Sequence, residues 1–456
     1  MKPWFVLSPL LTDLYELTMA QVYVKQEMFE EATFSLFVRE LPEKRSFLVA
    51  AGLGPLLSAL EHLRFTEDEL AYLESLRLFK PSFLDYLKSF RFTGEVWALR
   101  EGTVFFAQEP VVEVTAPLPE AQLIETLVIN LVNIETAVAT KAALCVLAAE
   151  GRPCVDFGAR RTQGLEASLH AARASYLAGF SATSNVLAGK LFGIPVSGTM
   201  AHSFVESFAT EEEAFLAFAH EFPDNSVFLV DTYDTLKGTQ TAVRAAQVLK
   251  EKGIKPKGVR LDSGRIEELA REARRILDDG GFPEVKIFVS GGLDEEKIRR
   301  IVASGAPVDA FGVGTKMGVS ADAPYLDMAY KLTEYAGRPA LKLSEEKVTF
   351  PGKKQVFREE EGGKLQKDIL ALREEDFPGK RLLSPVMRGG KTLSPPESLP
   401  VLKERVKREL ASLPERVFQG KESFRADFSE GLLILYQKAC ERVRREASQA
   451  DSCAQR

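Results

Sequence analysis

The chain has few cysteines, few histidines and no long uninterrupted apolar run. Its four cysteines, Cys145, Cys154, Cys440 and Cys453, form no C-x-x-C pair, so a zinc knuckle is not expected. We expect the cysteines to be free thiols in the cytoplasm. No apolar run approaches the roughly 18 residues of a membrane span. Residues 1–21 show no signal-peptide pattern. These absences predict a cytoplasmic protein with no membrane partner.

The chain also lacks a large excess of either positive or negative charge. The chain has 59 Lys and Arg against 65 Asp and Glu, which gives a net charge of −6 over 456 residues. Without a basic surplus, a dedicated nucleic-acid binder is not expected. Anionic small molecules remain possible ligands, because local basic pockets occur on acidic proteins. The length predicts two or three domains.

The pattern of predicted helices and strands changes twice along the sequence, which predicts three regions. Residues 1–119 mix helices with short strands and are expected to form an α+β domain. Residues 120–335 alternate apolar strands with helices in about seven βα units, which indicates parallel strands joined by crossover helices. An irregular (β/α) barrel is the leading α/β fold, and an open doubly wound sheet is the alternative. Residues 336–456 predict a small β element and two helices that pack with the N-terminal domain.

Several individual elements follow from apolar periodicity and turn residues. A long helix is expected from Glu120 to about Ala149. Strands are expected at Ile194–Val196, Ala340–Leu343 and Lys347–Phe350. The polar end, Ala447–Arg456, is expected to fray.

Polar, charged or glycine clusters follow the predicted strands of the second region. In parallel α/β folds, ligands bind at the carboxyl ends of the strands. The consistency of the pattern therefore predicts a site for a small anionic, phosphorylated molecule at that edge. The clusters are Gly158–Arg161, Ser184–Asn185, Ser197–His202, Asp231–Asp234, Arg260–Gly264, Ser290–Gly292 and Gly312–Lys316.

Glycines mark the last two of these clusters. Ser290, Gly291 and Gly292 end one strand, and Gly314 and Thr315 follow the next. Glycine lets backbone N–H groups approach a phosphate, and a following helix N-terminus favours negative charge. Paired loops of this kind after the final strands of a barrel bind phosphate. The alternative is that the glycines only allow tight turns.

The charged strand-end residues have defined chemical possibilities. Arg160 and Arg161 can clamp a carboxylate through the guanidinium fork, although neighbours diverge and at most one faces the ligand centrally. Asp231, Asp234 and Asp262 can bind ribose hydroxyls or a Mg²⁺–phosphate group, or can serve as turn and N-cap residues.

Histidine and aromatic residues complete the candidates. His202 can act as a nucleophile or general base, and a structural role is the alternative. Phe157 and Tyr15 can stack on a ring, although packing in the core explains them equally well.

Eight segments in the same order resemble the nicotinate phosphoribosyltransferase family over about residues 10–360. They are TDLYELTMAQ (Thr12–Gln21), FGARRTQG (Phe157–Gly164), SGTMAHSF (Ser197–Phe204), VDTYDT (Val230–Thr235), VRLDSG (Val259–Gly264), the SGG and FGVGT pair (Ser290–Gly292, Phe311–Thr315) and PGKKQVFR (Pro351–Arg358).

The resemblance implies an activity and a fold. Family members make nicotinate mononucleotide and pyrophosphate from nicotinate and phosphoribosyl pyrophosphate, with Mg²⁺. They couple this to ATP hydrolysis through a phosphorylated histidine, which His202 matches. An irregular barrel with a second domain built from both chain ends is implied, as is a homodimer with shared active sites.

The resemblance also implies residue roles, while no metal ligands are implied. Phe157 and Tyr15 of the neighbouring subunit would sandwich the pyridine, with Arg160 near its carboxylate and Arg161 near phosphate. Asp231, Arg260 and Asp262 would position ribose and pyrophosphate. The remaining implied contacts to substrate are Ser184, Thr199, Ser203, Ser290, Gly291, Gly292, Gly314 and Thr315, of which the glycines and Thr315 would hold the 5′-phosphate.

Ser184 bears on substrate choice. Related nicotinamide-using enzymes carry an aspartate at the aligned position, which would repel a carboxylate, so Ser184 favours nicotinate. The alternatives are a quinolinate phosphoribosyltransferase, which the GTMAHSF segment and the length disfavour; a barrel aldolase or isomerase, for which Lys316 is the obvious lysine; and a non-catalytic nucleotide sensor, which would need the phosphate loops but not His202.

Overall fold

The computed structural model describes residues 5, 7–343, 349–418 and 424–454. Packing divides the chain into two compact units. One consists of residues 1–137 together with 325–456, and the other of residues 138–324. The first unit is therefore assembled from both ends of the chain, and we call the second the strand–helix unit.

The helices and strands are numbered here in chain order. The helices are α1 (Leu14–Lys25), α2 (Leu53–His62), α3 (Glu67–Ser75), α4 (Pro81–Ser89), α5 (Leu118–Gln122), α6 (Glu125–Ala148), α7 (Leu165–Leu177), α8 (Val186–Phe192), α9 (His202–Glu206), α10 (Glu211–Glu221), α11 (Thr235–Glu251), α12 (Ile266–Asp279), α13 (Glu295–Ala303), α14 (Thr315–Gly318), α15 (Leu399–Ser412), α16 (Glu415–Phe418) and α17 (Glu430–Ala454). The strands are β1 (Glu31–Val38), β2 (Leu48–Val49), β3 (Glu95–Leu99), β4 (Val104–Phe105), β5 (Pro110–Pro117), β6 (Cys154–Asp156), β7 (Ala182–Thr183), β8 (Val227–Leu229), β9 (Gly258–Leu261), β10 (Lys286–Val289), β11 (Ala310–Val313), β12 (Met328–Tyr335), β13 (Arg338–Pro339), β14 (Lys354–Glu361), β15 (Lys364–Leu372), β16 (Lys380–Arg381), β17 (Leu383–Arg388), β18 (Lys391–Thr392) and β19 (Asp427–Phe428).

The first unit is built on a seven-stranded antiparallel sheet with the order β13-β12-β1-β5-β3-β17-β18. An interior strand, β1, is buried along almost its whole length. Phe34, Leu36 and Val38 alternate on one face and join the main hydrophobic core. Ser35 lies between them and donates to the buried carboxylate of Glu113 at 2.5 Å. The polar residue on this buried strand is therefore paired, as burial requires.

A capping box begins α3. The Glu69 amide donates to Thr66 Oγ1 at 3.3 Å, and the Thr66 amide donates to Glu69 Oε2 at 2.8 Å. The two residues thus satisfy free donors at the helix N-terminus reciprocally.

The strand–helix unit contains six parallel strands in the order β7-β6-β11-β10-β9-β8. The first strand of the unit, β6, pairs with the last, β11, whereas the remaining pairs join strands that are consecutive in the chain. An isolated parallel bridge between Thr183 and Val196 extends the series past β7. Pairing of first with last strand bends the sheet into an incomplete ring. This supports the irregular (β/α) barrel over a doubly wound sheet.

The structure corrects several expected elements. Of Ile194–Val196, only Val196 forms a bridge, and Ala340–Leu343 forms no strand because pairing with β12 ends at Arg338–Pro339. Of Lys347–Phe350, residues 349 and 350 lie outside any strand and residues 347 and 348 lie outside the described residues. The expected frayed end stays a prediction: α17 continues to Ala454, and residues 455 and 456 lie outside the described residues.

One helical stretch, Leu118–Ala148, is long and apolar enough to cross a membrane by length and composition alone. However, 72% of its apolar window is buried inside the protein. Burial of this kind is typical of a core helix in a soluble protein, so the stretch is weak evidence for a membrane span.

Candidate active site

Asp156, at the end of β6, organises the neighbouring strand ends. Its Oδ1 accepts from the Gly158 amide at 2.7 Å and its Oδ2 from Thr183 Oγ1 at 2.7 Å. Burial raises the pKa of this carboxyl, and the two hydrogen bonds oppose that rise. Sequence reasoning missed Asp156; an aspartate that directly follows an apolar strand was the available signal.

The ring of Phe157 lies over the sheet at a position that a glycine makes possible. A Cβ on Gly312 would approach the ring to 2.7 Å, so a side chain there would displace it. Phe288 lies on another side, with ring centroids 5.7 Å apart. The guanidinium carbon of Arg260 lies 5.4 Å from the Phe157 centroid, within the range of cation–π attraction.

Arg260 connects three strand ends, because it donates to groups from three segments. It donates through Nε to Ser290 Oγ at 2.8 Å, through Nη1 to Thr199 Oγ1 at 2.8 Å and through Nη2 to Asp262 Oδ1 at 2.6 Å. Ser290 Oγ also donates to Asp262 Oδ1. We call Arg260, Asp262, Ser290 and Asp231 the strand-end cluster. Its side chains are held from several directions, as preorganised charges must be.

Asp262 stays ionised because of these partners. Burial alone would raise the pKa of its carboxyl, but hydrogen bonds from Ser290 and Arg260 and the charge of Arg260 lower the pKa below its ordinary value. Its side chain is 30% exposed. A carboxylate that is ionised, oriented and partly open to solvent can stabilise a positive charge on a bound ligand.

Asp231 supplies an acceptor that the protein leaves unused. Its Oδ2 accepts from the Asp262 amide at 2.9 Å and from Ser263 Oγ at 2.6 Å. Its Oδ1 is buried and has no hydrogen-bond partner among the described residues. Buried oxygens without partners are costly, so this atom indicates a place for a ligand group. Asp234, in contrast, caps α11 by accepting from the Lys237 amide at 2.8 Å.

His202 begins α9 and is half-buried. Its Nδ1 lies 3.2 Å from Thr232 Oγ1, and the ring is close enough to Asp262 to influence the pKa of that carboxyl. The hydrogen bond orients the imidazole and leaves Nε2 for another role. Thr232 was missed by sequence reasoning, since a threonine between two aspartates has no distinctive signature. Ser203, the next residue in α9, is exposed.

The two loops predicted to bind phosphate, Ser290–Gly292 after β10 and Gly314–Thr315 after β11, depend on glycine; we call them the phosphate loops. Gly291 has φ +88°, and a Cβ there would lie 1.7 Å from the carbonyl oxygen of Asp262. Gly292 has φ +62°, also in the left-handed region. A Cβ on Gly314 would lie 2.8 Å from the Phe157 carbonyl oxygen. The loops therefore need glycine for close approach of backbone to backbone, and Gly292, with no atom near its Cβ position, leaves room for a ligand.

Four other predicted residues are placed with less definition. Arg160 and Arg161 follow the strand end in a turn closed by the Arg161 amide on the Gly158 carbonyl at 2.9 Å. Both side chains are exposed, and neither forms an ion pair within the described residues. The Ser184 amide donates to the Asp156 carbonyl at 2.8 Å, which fixes its position at the same edge. Tyr15, 44% exposed, lies on α1 in the first unit.

Lys316 is not a free base at a strand end. Its Nζ lies 2.5 Å from Asp294 Oδ2, and Asp294 caps α13 through its other oxygen, which accepts from the Lys297 amide at 2.8 Å. The aldolase or isomerase alternative therefore loses its obvious lysine.

Fold and site together define an α/β protein of the incomplete-barrel class, with a candidate active site at the carboxyl ends of its parallel strands. Comparison with known proteins identifies the family. Residues 10–133 match the nicotinate phosphoribosyltransferase N-terminal domain, and residues 153–361 match the nicotinate phosphoribosyltransferase family.

Curated relatives and a solved structure agree. A nicotinate phosphoribosyltransferase of Mycobacterium tuberculosis is 49% identical over 384 residues, covering 84% of this chain and 82% of that protein. One from Bacillus subtilis is 41% identical, covering 82% and 78%. The crystal structure of human nicotinic acid phosphoribosyltransferase superposes with a TM-score of 0.84 at 30% identity, covering 94% of this chain and all of that one. The chain belongs to the nicotinate phosphoribosyltransferase family.

Proposed function

We propose that this enzyme transfers phosphoribosyl from phosphoribosyl pyrophosphate to the ring nitrogen of nicotinate, with ATP hydrolysis coupled through His202 and Mg²⁺ at the pyrophosphate. The observation that carries the proposal is the strand-end cluster. It joins an ionised carboxylate, a fixed guanidinium and the unpartnered Asp231 Oδ1 to two glycine loops suited to phosphate.

Nicotinate would be held by its ring and its carboxylate. The Phe157 ring offers one stacking face, and Tyr15 of a neighbouring subunit in a homodimer would offer the other. Arg160, exposed and without an ion-pair partner in the described chain, has a guanidinium available for the carboxylate. Ser184 brings no negative charge near that carboxylate, so the acid is preferred to the amide.

Phosphoribosyl pyrophosphate would be held along the strand ends. Its 5′-phosphate would lie on the phosphate loops, where Gly291, Gly292, Gly314 and Thr315 offer backbone N–H groups and a hydroxyl. Arg161, Thr199 and Ser203 provide further donors for phosphate oxygens.

Loss of pyrophosphate builds positive charge at the anomeric carbon as the C–O bond breaks and the C–N bond forms. Asp262 and Asp231 would stabilise that charge without reorganising, because their positions are already set by Arg260, Ser290 and Ser263. Arg260 in turn limits the repulsion between the aspartates and the departing pyrophosphate.

The residues present fit Mg²⁺. This ion prefers oxygen ligands and is usually held by one or two carboxylates plus substrate phosphates, and Asp231 Oδ1 is a buried carboxylate oxygen that lacks a partner. Asp231 and Asp262 would hold the ion, which when bound neutralises the charge of the leaving pyrophosphate.

The γ-phosphoryl group of ATP would be transferred to His202 and not to the sugar. An imidazole nitrogen attacks the γ-phosphorus, the bond to the β-bridging oxygen breaks, and ADP leaves. Hydrolysis of the phosphohistidine then returns the free imidazole. The negative phosphoryl group next to the site would alter the affinity for phosphoribosyl pyrophosphate and favour synthesis over the reverse reaction.

The test is to incubate the purified protein with phosphoribosyl pyrophosphate and Mg²⁺, offering nicotinate, nicotinamide or quinolinate, each with and without ATP. Mononucleotide from nicotinate, increased by ATP, is the expected result. Product from nicotinamide or quinolinate instead would contradict the roles of Ser184 and Arg160. Absence of any product would contradict the assignment of the strand-end cluster to transfer.

A further inference from the structure

A buried lysine joins the two segments that follow the phosphate loops. Lys141 lies on α6 and is 3% exposed; its Nζ is 2.6 Å from Glu295 Oε2 and 2.9 Å from Asp322 Oδ1. Both carboxylates are buried as well. We call Lys141, Glu295 and Asp322 the lysine clamp.

The clamp residues lie close in sequence to the loops. Glu295 is the first residue of α13, directly after the segment that follows Gly292, and Asp322 comes shortly after α14, which begins at Thr315. A single ammonium group therefore holds the exit of both loops. Neither loop can move away from the other without breaking an ion pair that water does not screen.

A second set of bonds reinforces the same arrangement at the surface. Lys297 Nζ donates to the Gly291 carbonyl at 2.9 Å, and Lys316 on the second loop pairs with Asp294 after the first. The Lys316 side chain is 46% exposed, so this pair is weaker than the buried clamp.

The clamp cannot itself bind the substrate. Lys141 is buried and both of its carboxylate partners are in place, so its charge is already compensated. Burial lowers the pKa of Lys141, but hydrogen bonds to Asp322 and Glu295 more than offset this and raise the pKa above its ordinary value. The ammonium is therefore charged, and its effect must pass through the loops.

We propose that Lys141 is a positioning residue that sets the distance between the two phosphate loops and thereby the affinity for phosphoribosyl pyrophosphate. The proposal rests on the assignment of these loops to the 5′-phosphate. Nicotinate would be held by Phe157 and Arg160, so its affinity should not depend on the clamp.

The main test is Lys141→Met, which keeps the length and removes the charge. We expect KM and the calorimetric Kd for phosphoribosyl pyrophosphate to rise about tenfold, because small displacements of binding groups have effects of this order. The kcat at saturating phosphoribosyl pyrophosphate and the KM for nicotinate should change by less than about twofold, since neither depends on the loop spacing. Lys141→Arg should restore most of the affinity.

Glu295→Gln provides a milder variant, because it keeps an oxygen acceptor while weakening the ion pair and leaves Asp322 in place. It should raise the same KM and Kd by about threefold. If Lys141→Met does not fold, this variant tests the proposal in its place. The control is Lys286→Met, which breaks an exposed pair with Asp309 in the same unit and should change neither constant.

Thr315→Val separates this proposal from the phosphate-loop assignment. If Thr315→Val weakens phosphoribosyl pyrophosphate binding but folded Lys141→Met or Glu295→Gln does not, the clamp proposal is overturned. If kcat and both KM values worsen together and Lys141→Arg restores nothing, Lys141 is merely structural and the proposal is again overturned. If neither Thr315→Val nor Lys141→Met affects binding while the wild type still forms product, the loop assignment itself fails.

Discussion

Two clusters of charged side chains, one in each unit, are each centred on an Arg–Asp ion pair but differ in how open they are to solvent. In the first unit, Arg358 is 1% exposed and binds Asp368 through two nitrogens, at 2.9 and 2.6 Å, and Glu409 at 2.9 Å. We call Arg358, Asp368, Glu409 and the adjacent Glu109 the buried arginine cluster. In the strand-end cluster, Arg260 and Asp262 are 13% and 30% exposed.

The difference lies in what each cluster leaves available. Arg358 donates its hydrogen bonds to neighbouring carboxylates in a site closed to water, so its role is to stabilise the fold. The strand-end cluster is open to solvent, whereas each cluster contains one buried carboxylate oxygen without a hydrogen-bond partner among the described residues, Asp231 Oδ1 and Glu109 Oε1. Arg–Asp ion pairs therefore separate into structural and functional ones by their access to solvent.

The largest expected effect is on activity, from Asp262→Asn. Asparagine keeps an oxygen to accept from Ser290 and Arg260 but loses the charge that stabilises the anomeric cation. We expect kcat to fall about 10³-fold, the order found when one preorganised electrostatic group is removed, with little change in melting temperature. The measurement is initial rate beside a thermal melt.

Asp278→Asn is the matched control, because Asp278 is 49% exposed at the end of α12, where it pairs with Arg274. Its rate should stay near that of the wild type. An Asp262→Asn enzyme with an intact rate would place Asp262 outside the catalytic site.

The next effect is on stability, from Arg358→Met. Removing the cation leaves buried carboxylates uncompensated, which costs about 3–5 kcal/mol in the free energy of unfolding. Denaturant unfolding measures it, and the folded fraction should keep the wild-type KM for nicotinate. Arg244→Met, which removes an exposed pair with Glu212, should cost less than about 1 kcal/mol. Equal losses in the two variants would contradict the structural role of the buried cluster.

His202→Ala is expected to act on coupling alone. ATP should no longer stimulate the reaction, while transfer without ATP stays within about tenfold of the wild-type rate because His202 does not attack the sugar. The rates are compared with and without ATP, and labelling with γ-phosphate-labelled ATP should disappear. His220→Ala is the control, since His220 lies at the end of α10, beside Lys252. Equal loss of both activities in His202→Ala would indicate a direct catalytic or structural role.

The smallest effect concerns pH and the buried arginine cluster. Burial, with the charge of Asp368, raises the pKa of Glu109 well above its ordinary value. A carboxyl whose folded pKa is raised contributes stability below its unfolded pKa and loses it as pH rises toward the folded pKa. The free energy of unfolding should therefore fall as the pH rises from about 4, and Glu109→Gln should flatten that slope. An unchanged slope in Glu109→Gln would show that another group titrates.

Much of the fold was predictable from local patterns. The alternation of apolar strands and helices after Gly151 indicated parallel strands, and Thr66 with Glu69 marked a helix start. Predictions failed where long-range pairing decides the structure: the segment Ile194–Val196 obtains one bridge instead of a strand, and β17, missed as a strand, completes the seven-stranded sheet beside β3. Such pairing depends on partners distant in sequence, which periodicity does not report.

The site divides in the same way. The strand-end position of Arg260, Asp262 and His202 could be recognised from the sequence, because parallel strands bring their carboxyl ends to one edge. The roles of Asp156, Thr232 and Lys141 could not, since their partners come from other segments and their residue types carry no signature by themselves.

By itself, the sequence determined the family, the parallel α/β character of the central region and the glycines of the phosphate loops, because these depend on residue type and spacing along the chain. Only the tertiary structure decided which charges are paired, which carboxylate oxygen is left over at Asp231, and that one buried lysine holds the exits of both loops. Those properties depend on distance and solvent access between segments, and both come into existence only when the strands and helices pack.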